Sequence, residues 1–344
     1  MEPLTHFLTG ACLGRAGLNR KSALATLTVT LAAEAPDLDV IGDTRGEVFG
    51  FAHHRGFTHS LLGIALVAAV VVGFVYLIWR LRGAKSNPEL PPRWGVLFGF
   101  AYLAGLSHVL LDFTNSYGVR PFWPFSERWY SWDIVFIVEP IMWILLLGGL
   151  LIPAIFHLVN QEIGPRRKAP YGQVGAALAL LGVVALWGVR DFEHRRAVAA
   201  LEARLYEGAT PIRVSAYPLW GNPFRWNGVV ETKDFFAVLD VDSLTPEVDP
   251  GERAEIHYKP EETAVTLAAK KSHLGRVYLD WAQYPITETE TLDLGKGYIV
   301  HFRDLRFADF NRTRRAVLSA SVELDEKLHV VDEQFGLRRQ EGSE

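Results

Sequence analysis

The chain contains 344 residues, which is enough for about two domains, and 49% of them are hydrophobic. Its formal net charge of −4 carries no signature of nucleic-acid binding, so no nucleic-acid partner is predicted. A single cysteine, Cys12, excludes an intrachain disulfide and any zinc site built from several cysteines. A metal ion would therefore have to be bound by His, Asp and Glu.

Long apolar runs lie mainly in the first part of the sequence and predict an α-helical, polytopic membrane domain over residues 1–190. A helix needs about 20 apolar residues to cross a bilayer, and on this basis we expect about six spans. The predicted spans cover residues 3–18, 22–36, 61–79, 94–111, 134–158 and 174–189. The first two are short, so a single re-entrant hairpin is an alternative to two full spans. The N-terminal residues lack the basic segment of a cleavable signal peptide, and none is expected.

A different pattern follows the last apolar run. Residues 191–208 alternate charged residues with Ala and Leu at helical spacing, which predicts a helical connector. Over residues 209–336 polar and apolar residues alternate with the period of a strand, as in 253–258 and 298–302, and turn residues separate these runs. We expect a soluble, antiparallel β-rich domain there, followed by a disordered tail over residues 337–344.

The basic connections predict the orientation in the membrane. Lys and Arg concentrate in loops that stay in the cytoplasm, and here they concentrate in residues 15–21, 80–93 and 166–168. With the predicted spans these are the first, third and fifth connections, which share a side. The prediction is an inner-membrane protein whose candidate metal ligands and β-rich domain lie on the extracytoplasmic side.

Two stretches carry residue types that bind metal ions. The first, His53-His54-Arg55-Gly56-Phe57-Thr58-His59-Ser60, directly precedes the third predicted span, and neutral imidazole is the commonest metal ligand in proteins. The second is the pair His108 and Asp112, which at a spacing of i, i+4 lie on one face of a helix. A polar cap at the membrane boundary is an equal alternative for the first stretch. A helix-terminal Asp beside an interfacial His explains the second pair better when it is taken alone.

Together with polar residues at other helix ends, these stretches predict one metal centre. The candidate ligands are His6, Asp37, Asp39, His54, His59, His108 and Asp112. Mixed His and Asp ligation with a retained water suits hydrolytic zinc, so we expect a divalent ion, with Zn²⁺ as the first choice. The set is large enough for one tetrahedral ion or for two ions bridged by Asp112.

Three further residues are predicted to act in catalysis: Arg55, Asp133 and Glu139. The planar guanidinium of Arg55 suits a phosphate or carboxylate oxygen, although snorkelling toward lipid headgroups is an equal alternative. Glu139 lies inside an apolar run, where it would orient a ligating His or act as a general base. For Asp133 a helix-start cap is the simpler assignment.

The ordered motifs carry a resemblance to a known family. They are Thr5-His6-x-x-x-Gly10, Pro36-Asp37-x-Asp39, His54-Arg55-Gly56-x-Thr58-His59-Ser60 and His108-x-x-x-Asp112. This set resembles the YdjM/YbcI-type family of bacterial and archaeal inner-membrane proteins, and the resemblance covers about the first 190 residues. It implies metal-dependent hydrolysis of a substrate that is not established.

Two weaker likenesses accompany that resemblance. Asp133-x-x-x-x-x-Glu139-Pro140 is similar to an acidic element of the same family, with Glu where Asp is common. A more distant likeness is to zinc-dependent phospholipase C and the P1-type nucleases. It implies ligand roles for five residues, which are His6, Asp37, His59, His108 and Asp112. The chain has no obvious second His/His/Glu set, so a cluster of three metals is not implied.

The sequence therefore predicts a membrane-embedded, metal-dependent hydrolase acting on a phosphoester, carried either by a small molecule or by a membrane lipid. A transporter that binds a divalent ion is the first alternative, because intramembrane acids such as Glu139 also fit transport. A non-catalytic membrane scaffold that presents the β-rich domain is the second.

Overall fold

Nine α-helices and nine β-strands form within the part of the chain that the computed structural model describes, which is residues 1–85, 87–163, 171–249, 251, 254–292, 296–307 and 318–336. The helices are α1 Pro3–Arg15, α2 Ala25–Glu34, α3 Glu47–His53, α4 Leu61–Leu81, α5 Trp94–Phe113, α6 Pro140–Ile163, α7 Tyr171–Glu202, α8 Ala264–Lys271 and α9 His273–Trp281. The strands are β1 Arg213–Pro218, β2 Arg225–Glu231, β3 Phe235–Asp242, β4 Glu247–Val248, β5 Glu255–Tyr258, β6 Pro285–Thr291, β7 Gly297–Asp304, β8 Ala320–Asp325 and β9 Val330–Phe335.

Three of the described helices are long and apolar enough to cross a membrane: α4, α5 and the segment Gly172–Glu202 of α7. They confirm a helical membrane protein, but the predicted count of about six spans is not confirmed. Helices α1 and α2 have 13 and 10 residues. At about 1.5 Å per residue they are about 20 and 15 Å long, against about 30 Å for the bilayer core. Pro140–Phe156 in α6 is a shorter apolar helix.

Helix α6 starts later than the sequence indicated, at Pro140 rather than Ile134. The amides of Ile134 and Val135 both donate to the carbonyl of Thr114, at 3.0 Å each, so this segment is tied to the chain that follows α5. Asp133 has a positive φ of 59°. It therefore does not cap a helix start, because the helix begins well beyond it. The predicted basic connection at residues 166–168 lies outside the described residues.

The chain divides into two compact units. The first contains Met1–Asp39, Arg55–Phe192 and Trp220–Pro223; the second contains Val40–His54, Glu193–Leu219 and Phe224–Glu344. The short segment Val40–His54 belongs to the second unit, where the Phe51 ring stacks on Phe335 at 4.0 Å and meets the edge of Trp281 at 5.4 Å.

In the first unit, α1 and α2 pack backbone against backbone. A Cβ atom at Gly10 would lie 2.9 Å from the Cα of Thr30, and one at Gly14 would lie 2.8 Å from the Cα of Thr26. Small residues allow this kind of close approach between apolar helices. This packing positions two candidate ligands, because His6 lies one turn before Gly10 and Asp37 follows the end of α2.

The second unit contains two antiparallel sheets, which confirms the predicted β-rich architecture. One has the order β1-β2-β3-β4, with β5 also paired to β3, and the other has the order β6-β7-β8-β9. Helices α8 and α9 lie between the sheets in sequence and were not predicted. The signal for α8 is a capping box, in which Thr263 and Thr266 exchange side-chain and backbone hydrogen bonds. The signal for α9 is the N-cap Ser272, whose side chain accepts the amide N–H of Gly275. The tail predicted over residues 337–344 lies outside the described residues.

Candidate metal centre

Four separate elements of the first unit bring polar side chains to one place. Helix α1 supplies His6, and the 3-10 segment Ala35–Arg45 supplies Asp37 directly after Pro36, which has no amide N–H to continue α2. The 3-10 turn Phe57–His59 supplies His59 at its end. Helix α5 supplies His108 and Asp112 from one face near its C-terminal end.

Four of these side chains place one ligand atom each within 4.8 Å of all the others: Asp37, His59, His108 and Asp112. The two Nε2 atoms of His59 and His108 are 3.0 Å apart. Nε2 of His59 lies 3.3 Å from Oδ1 of Asp37 and 3.3 Å from Oδ2 of Asp112. Nε2 of His108 lies 3.4 and 3.3 Å from the same two oxygens.

Four of these five distances match the edges of a coordination tetrahedron. Zinc binds nitrogen and oxygen ligands at about 2.0–2.2 Å, which separates the ligands of a tetrahedral ion by about 3.3–3.6 Å. Four of the five distances are 3.3–3.4 Å and the fifth is 3.0 Å. The residues present therefore fit one divalent ion held by two imidazoles and two carboxylates.

The far nitrogens of both imidazoles are held by outer partners. Nδ1 of His108 lies 2.6 Å from the carbonyl oxygen of Ala33. Nδ1 of His59 lies 3.0 Å from Oγ1 of Thr58 and 3.4 Å from Oδ2 of Asp39. Metal-binding histidines almost always use their second nitrogen in this way, because the contact fixes the ring and its tautomer. Both Nε2 atoms are thereby presented to a common point.

His6 faces the remaining oxygens of the same two carboxylates. Its Nε2 is 3.5 Å from Oδ1 of Asp112 and 3.9 Å from Oδ2 of Asp37, and its ring stacks on His108 at 3.7 Å. Both ring nitrogens of His6, and Oδ2 of Asp112, are buried without a hydrogen-bond partner among the described residues. Buried polar atoms are normally paired, so these atoms fit a site that could hold an ion.

Positive charge lies beside Asp112. Nη2 of Arg55 is 2.9 Å from Oδ1 of Asp112, and the α-ammonium group of Met1 contacts the same oxygen. Nη1 of Arg55 donates to Oδ1 of Asn115 and to the carbonyl of Gly118, both at 3.2 Å. The guanidinium also lies 4.7 Å from the ring centre of Tyr117. Arg55 is thus a rigidly held cation at the edge of the centre.

Asp37 is the most accessible member of the group. Its side chain is 21% exposed, whereas those of His59, His108 and Asp112 are fully buried. Burial alone would raise the pKa of Asp37, but hydrogen bonds from His108 and His59 outweigh it and hold that pKa below its usual range. The carboxylate is therefore ionised and available to a cation.

Four other candidate residues are placed around or away from this point. Asp39 contacts Nδ1 of His59, and its Oδ2 accepts the amide N–H of Arg55 at 2.8 Å. His54 belongs to the second unit. Glu139 is buried and pairs with the guanidinium of Arg190. Catalysis by Asp133 or Glu139, and metal binding by Asp39 or His54, stay predictions.

Sequence reasoning missed several groups that support the centre. Thr58, Asn115 and the carbonyl of Ala33 contact the site residues directly. Arg190 is the partner of Glu139, and its Nη1 donates to the carbonyl of Asn222 at 3.2 Å. Thr58 and Asn115 lie within three residues of a predicted ligand, which is a usable signal. The Ala33 carbonyl and Arg190 have no signal in the sequence.

Comparison with known proteins gives a family for this arrangement. A sequence model of the YdjM inner membrane protein family matches residues 1–197, a range that contains every residue of the centre. The protein YfhP of Bacillus subtilis (strain 168), described as uncharacterized, is 27% identical over 160 residues. The match covers 44% of this chain and 46% of YfhP, so the chain spans about half the length of this curated relative. No solved structure matches, and the likeness to zinc-dependent phospholipase C stays a prediction.

Proposed function

Because the chain belongs to the YdjM inner membrane protein family and presents four ligand atoms at tetrahedral spacing, we propose that it is a membrane-embedded, metal-dependent hydrolase. The spacing of Asp37, His59, His108 and Asp112 is the observation that carries the proposal. We propose Zn²⁺ as the ion, because mixed imidazole and carboxylate ligation in a tetrahedron is its usual environment.

The ligands divide into two groups. His59 and His108, with one oxygen from each of Asp37 and Asp112, would hold the first ion. His6 faces the other oxygen of each carboxylate, and a second ion held there would have to displace the contacts of Arg55 and the Met1 ammonium group with Asp112. Ions of this kind lower the pKa of a coordinated water toward about 7 and polarise a scissile group.

A phosphoester is the proposed substrate, and Arg55 supports this choice. Its guanidinium is buried and fixed by Asn115 and Gly118, so it loses little freedom when it binds an anion. Planar guanidinium groups bind phosphate oxygens with two parallel hydrogen bonds. Asp37 leaves the centre partly open, which gives a substrate a route to it.

The position of the ligands supports hydrolysis over transport. Transport sites lie near the bilayer midplane between broken helices. Here Asp112 belongs to the last turn of α5, which ends at Phe113, and His59 precedes the start of α4. We propose that the centre lies at the extracytoplasmic face of the inner membrane, as the basic connections predict.

Metal analysis and a hydrolysis screen on the full chain test the proposal together. The protein is purified in detergent, its Zn²⁺ content is measured by mass spectrometry, and phosphomonoesters, phosphodiesters and phospholipids are offered as substrates. His59→Ala and Asp112→Ala should lose bound metal and turnover. His53→Ala is the matched control, because that ring is exposed and its Nδ1 contacts the carbonyl of Phe49.

Each other outcome has a definite meaning. Protein without stoichiometric metal would favour the scaffold alternative. Bound metal that depends on His59, without turnover of any substrate offered, would favour a metal-handling protein. Equal turnover by wild type, His59→Ala and Asp112→Ala would refute the assigned centre.

A further inference from the structure

One face of α4 is exposed along its whole length. Leu62, Leu66, Val70, Phe74 and Leu77 follow one another at helical spacing, and all five side chains are exposed, Val70 to 71%. Helix α4 is one of the candidate membrane spans. Apolar side chains in a stripe on such a helix face lipid, because exposure to water along this length would be costly.

The exposed apolar surface continues beyond the start of α4. Phe57, Leu61, Leu62, Phe122 and Phe125 are all exposed, with Phe125 at 84%. We call these five residues the apolar rim. They come from two loops and one helix end, and all of them belong to the first unit.

Specific contacts join the two loops of the rim. The amide of Leu61 donates to the carbonyl of Pro121 at 2.9 Å. The rings of Phe57 and Trp123 pack edge to face at 5.5 Å across the two loops. Within the second loop, the rings of Phe122 and Tyr130 pack in the same way at 5.5 Å. The rim is therefore a built surface whose two halves are fixed to each other.

The residues next to the rim are of types that are enriched at the boundary between bilayer and water. Trp123, Trp129 and Tyr130 accompany it in sequence, and Trp and Tyr are enriched where bilayer and water meet. The exposed Arg128 lies over the Tyr130 ring at 5.3 Å. A basic residue at this level is attracted by anionic headgroups.

We propose that the apolar rim inserts into the headgroup–acyl boundary of the bilayer and sets the depth of the turn that carries His59. The occupant is the lipid surface, because the rim is continuous through Leu61 and Leu62 with the lipid-facing stripe of α4. Phe57 begins the 3-10 turn that ends at His59. The rim therefore holds this metal ligand at the level of the lipid headgroups, whether or not the protein hydrolyses anything.

Spin labels measure this depth directly. Cys12 is the single cysteine of the sequence and is buried, so Cys12→Ala removes background labelling. Phe125→Cys is labelled with a nitroxide in vesicles of equal parts phosphatidylcholine and phosphatidylglycerol. The rate at which the nitroxide collides with oxygen, which concentrates in lipid, is compared with the rate at which it collides with a water-soluble nickel complex.

Two reference positions calibrate the measurement. Val70→Cys, in the middle of α4, should report lipid, and Lys327→Cys, on an exposed turn of the second unit, should report water. The label at Phe125 should favour oxygen, with a depth between the two references. Phe122→Cys repeats the test at a second position of the same loop, and an unchanged melting temperature shows that each labelled protein is folded.

Two results would overturn the proposal. A Phe125 label that matches Lys327 would place the rim in water. A label shielded from both collision partners, with spin–spin broadening, would show that a second copy of the chain covers the rim. Neither result depends on turnover, so the depth of the rim and the proposed hydrolysis fail or succeed separately.

Discussion

Asp39 contacts the candidate metal centre through the ring of His59. Its Oδ2 lies 3.4 Å from Nδ1 of His59 and 2.8 Å from the amide nitrogen of Arg55. Outer partners of this kind fix the ring, and losing one typically weakens metal binding by about 10–100-fold. We expect Asp39→Asn to weaken Zn²⁺ affinity by about that factor, with the number of ions bound at saturation unchanged. Competition with a chelating dye measures both quantities.

Asp43→Asn is the matched control for this prediction. Asp43 is an exposed carboxylate on the same 3-10 segment, Ala35–Arg45, and should leave Zn²⁺ affinity unchanged. If Asp39→Asn instead removes an ion even at saturating metal, Asp39 is itself a ligand. That outcome would contradict the outer role inferred from the structure and restore the ligand role that the sequence predicted.

Acid should release the metal through the imidazoles rather than through Asp37. The pKa of Asp37 is held below its usual range, so this carboxylate stays ionised as the pH falls through the range where imidazoles titrate. An imidazole must be neutral to bind metal, so protons compete with Zn²⁺ for each imidazole ligand. With two imidazole ligands, Zn²⁺ binding should weaken by up to about 100-fold per pH unit as the pH falls.

Equilibrium dialysis against Zn²⁺ over a series of pH values checks this slope. His59→Ala provides the comparison, since removal of one imidazole ligand should lower the slope toward about tenfold per pH unit in whatever binding remains. Binding that persists to about pH 4 and is then lost would contradict the prediction, because an ordinary carboxylate titrates there.

At the scale of elements, uninterrupted apolar runs predicted membrane spans better than short mixed runs did. The predicted spans 61–79 and 94–111 correspond to α4, Leu61–Leu81, and α5, Trp94–Phe113. Neither run contains Asp, Glu, Lys or Arg, so no charged side chain opposes their insertion into lipid. The runs 3–18 and 22–36 are rich in Gly, Ala and Thr, and form helices too short to span. Hydropathy records how apolar a run is, but helix length depends on where the backbone turns.

The site could be predicted in part for a similar reason. His108 and Asp112 share a helix, so their spacing alone indicates a common face. Asp37 and Asp39 lie in one short segment, and either could reach an ion. The choice between them depends on the path of the 3-10 segment, which places Oδ1 of Asp37 at 3.3 Å from Nε2 of His59. No periodicity in the sequence encodes that path.

The packing of α1 on α2 leads to a prediction about the centre. A Cβ atom at Gly10 would lie 2.8 Å from Cβ of Ala33 and 2.9 Å from the Cα of Thr30, so Gly10→Val would force the helices apart. Overpacking of this kind typically costs about 1–3 kcal/mol. Because His6 and the carbonyl of Ala33 both belong to this pair of helices, we expect lower thermal stability and weaker Zn²⁺ binding, measured on the same detergent-purified sample.

Gly99→Val is the matched control, since a Cβ atom at Gly99 in α5 has nothing within 4 Å. It tests the same substitution in a helix that also belongs to the first unit. A Gly10→Val protein with wild-type melting temperature and Zn²⁺ affinity would show that the α1–α2 contact does not position the centre.

For the whole molecule, the number of crossings after the metal centre decides where the second unit lies. His59 precedes α4, and Asp112 lies at the end of α5, so two crossings return the chain to the side of the centre. Helix α7 is a candidate span, whereas the apolar part of α6, Pro140–Phe156, is shorter. If α6 crosses as well, the second unit follows on the same side as the centre. The basic residues between α4 and α5 then predict that this side is extracytoplasmic.

Cysteine labelling in intact cells tests this topology. In a Cys12→Ala background, Lys327→Cys should react with a membrane-impermeant maleimide in intact spheroplasts, while Lys85→Cys, between α4 and α5, should react only after lysis. Both positions are exposed, so burial does not limit the reaction. Labelling of Lys85→Cys alone in intact spheroplasts would place the metal centre in the cytoplasm. Labelling of both positions would show that only one of α6 and α7 crosses the membrane, because an odd number of crossings puts the second unit on the side opposite the centre.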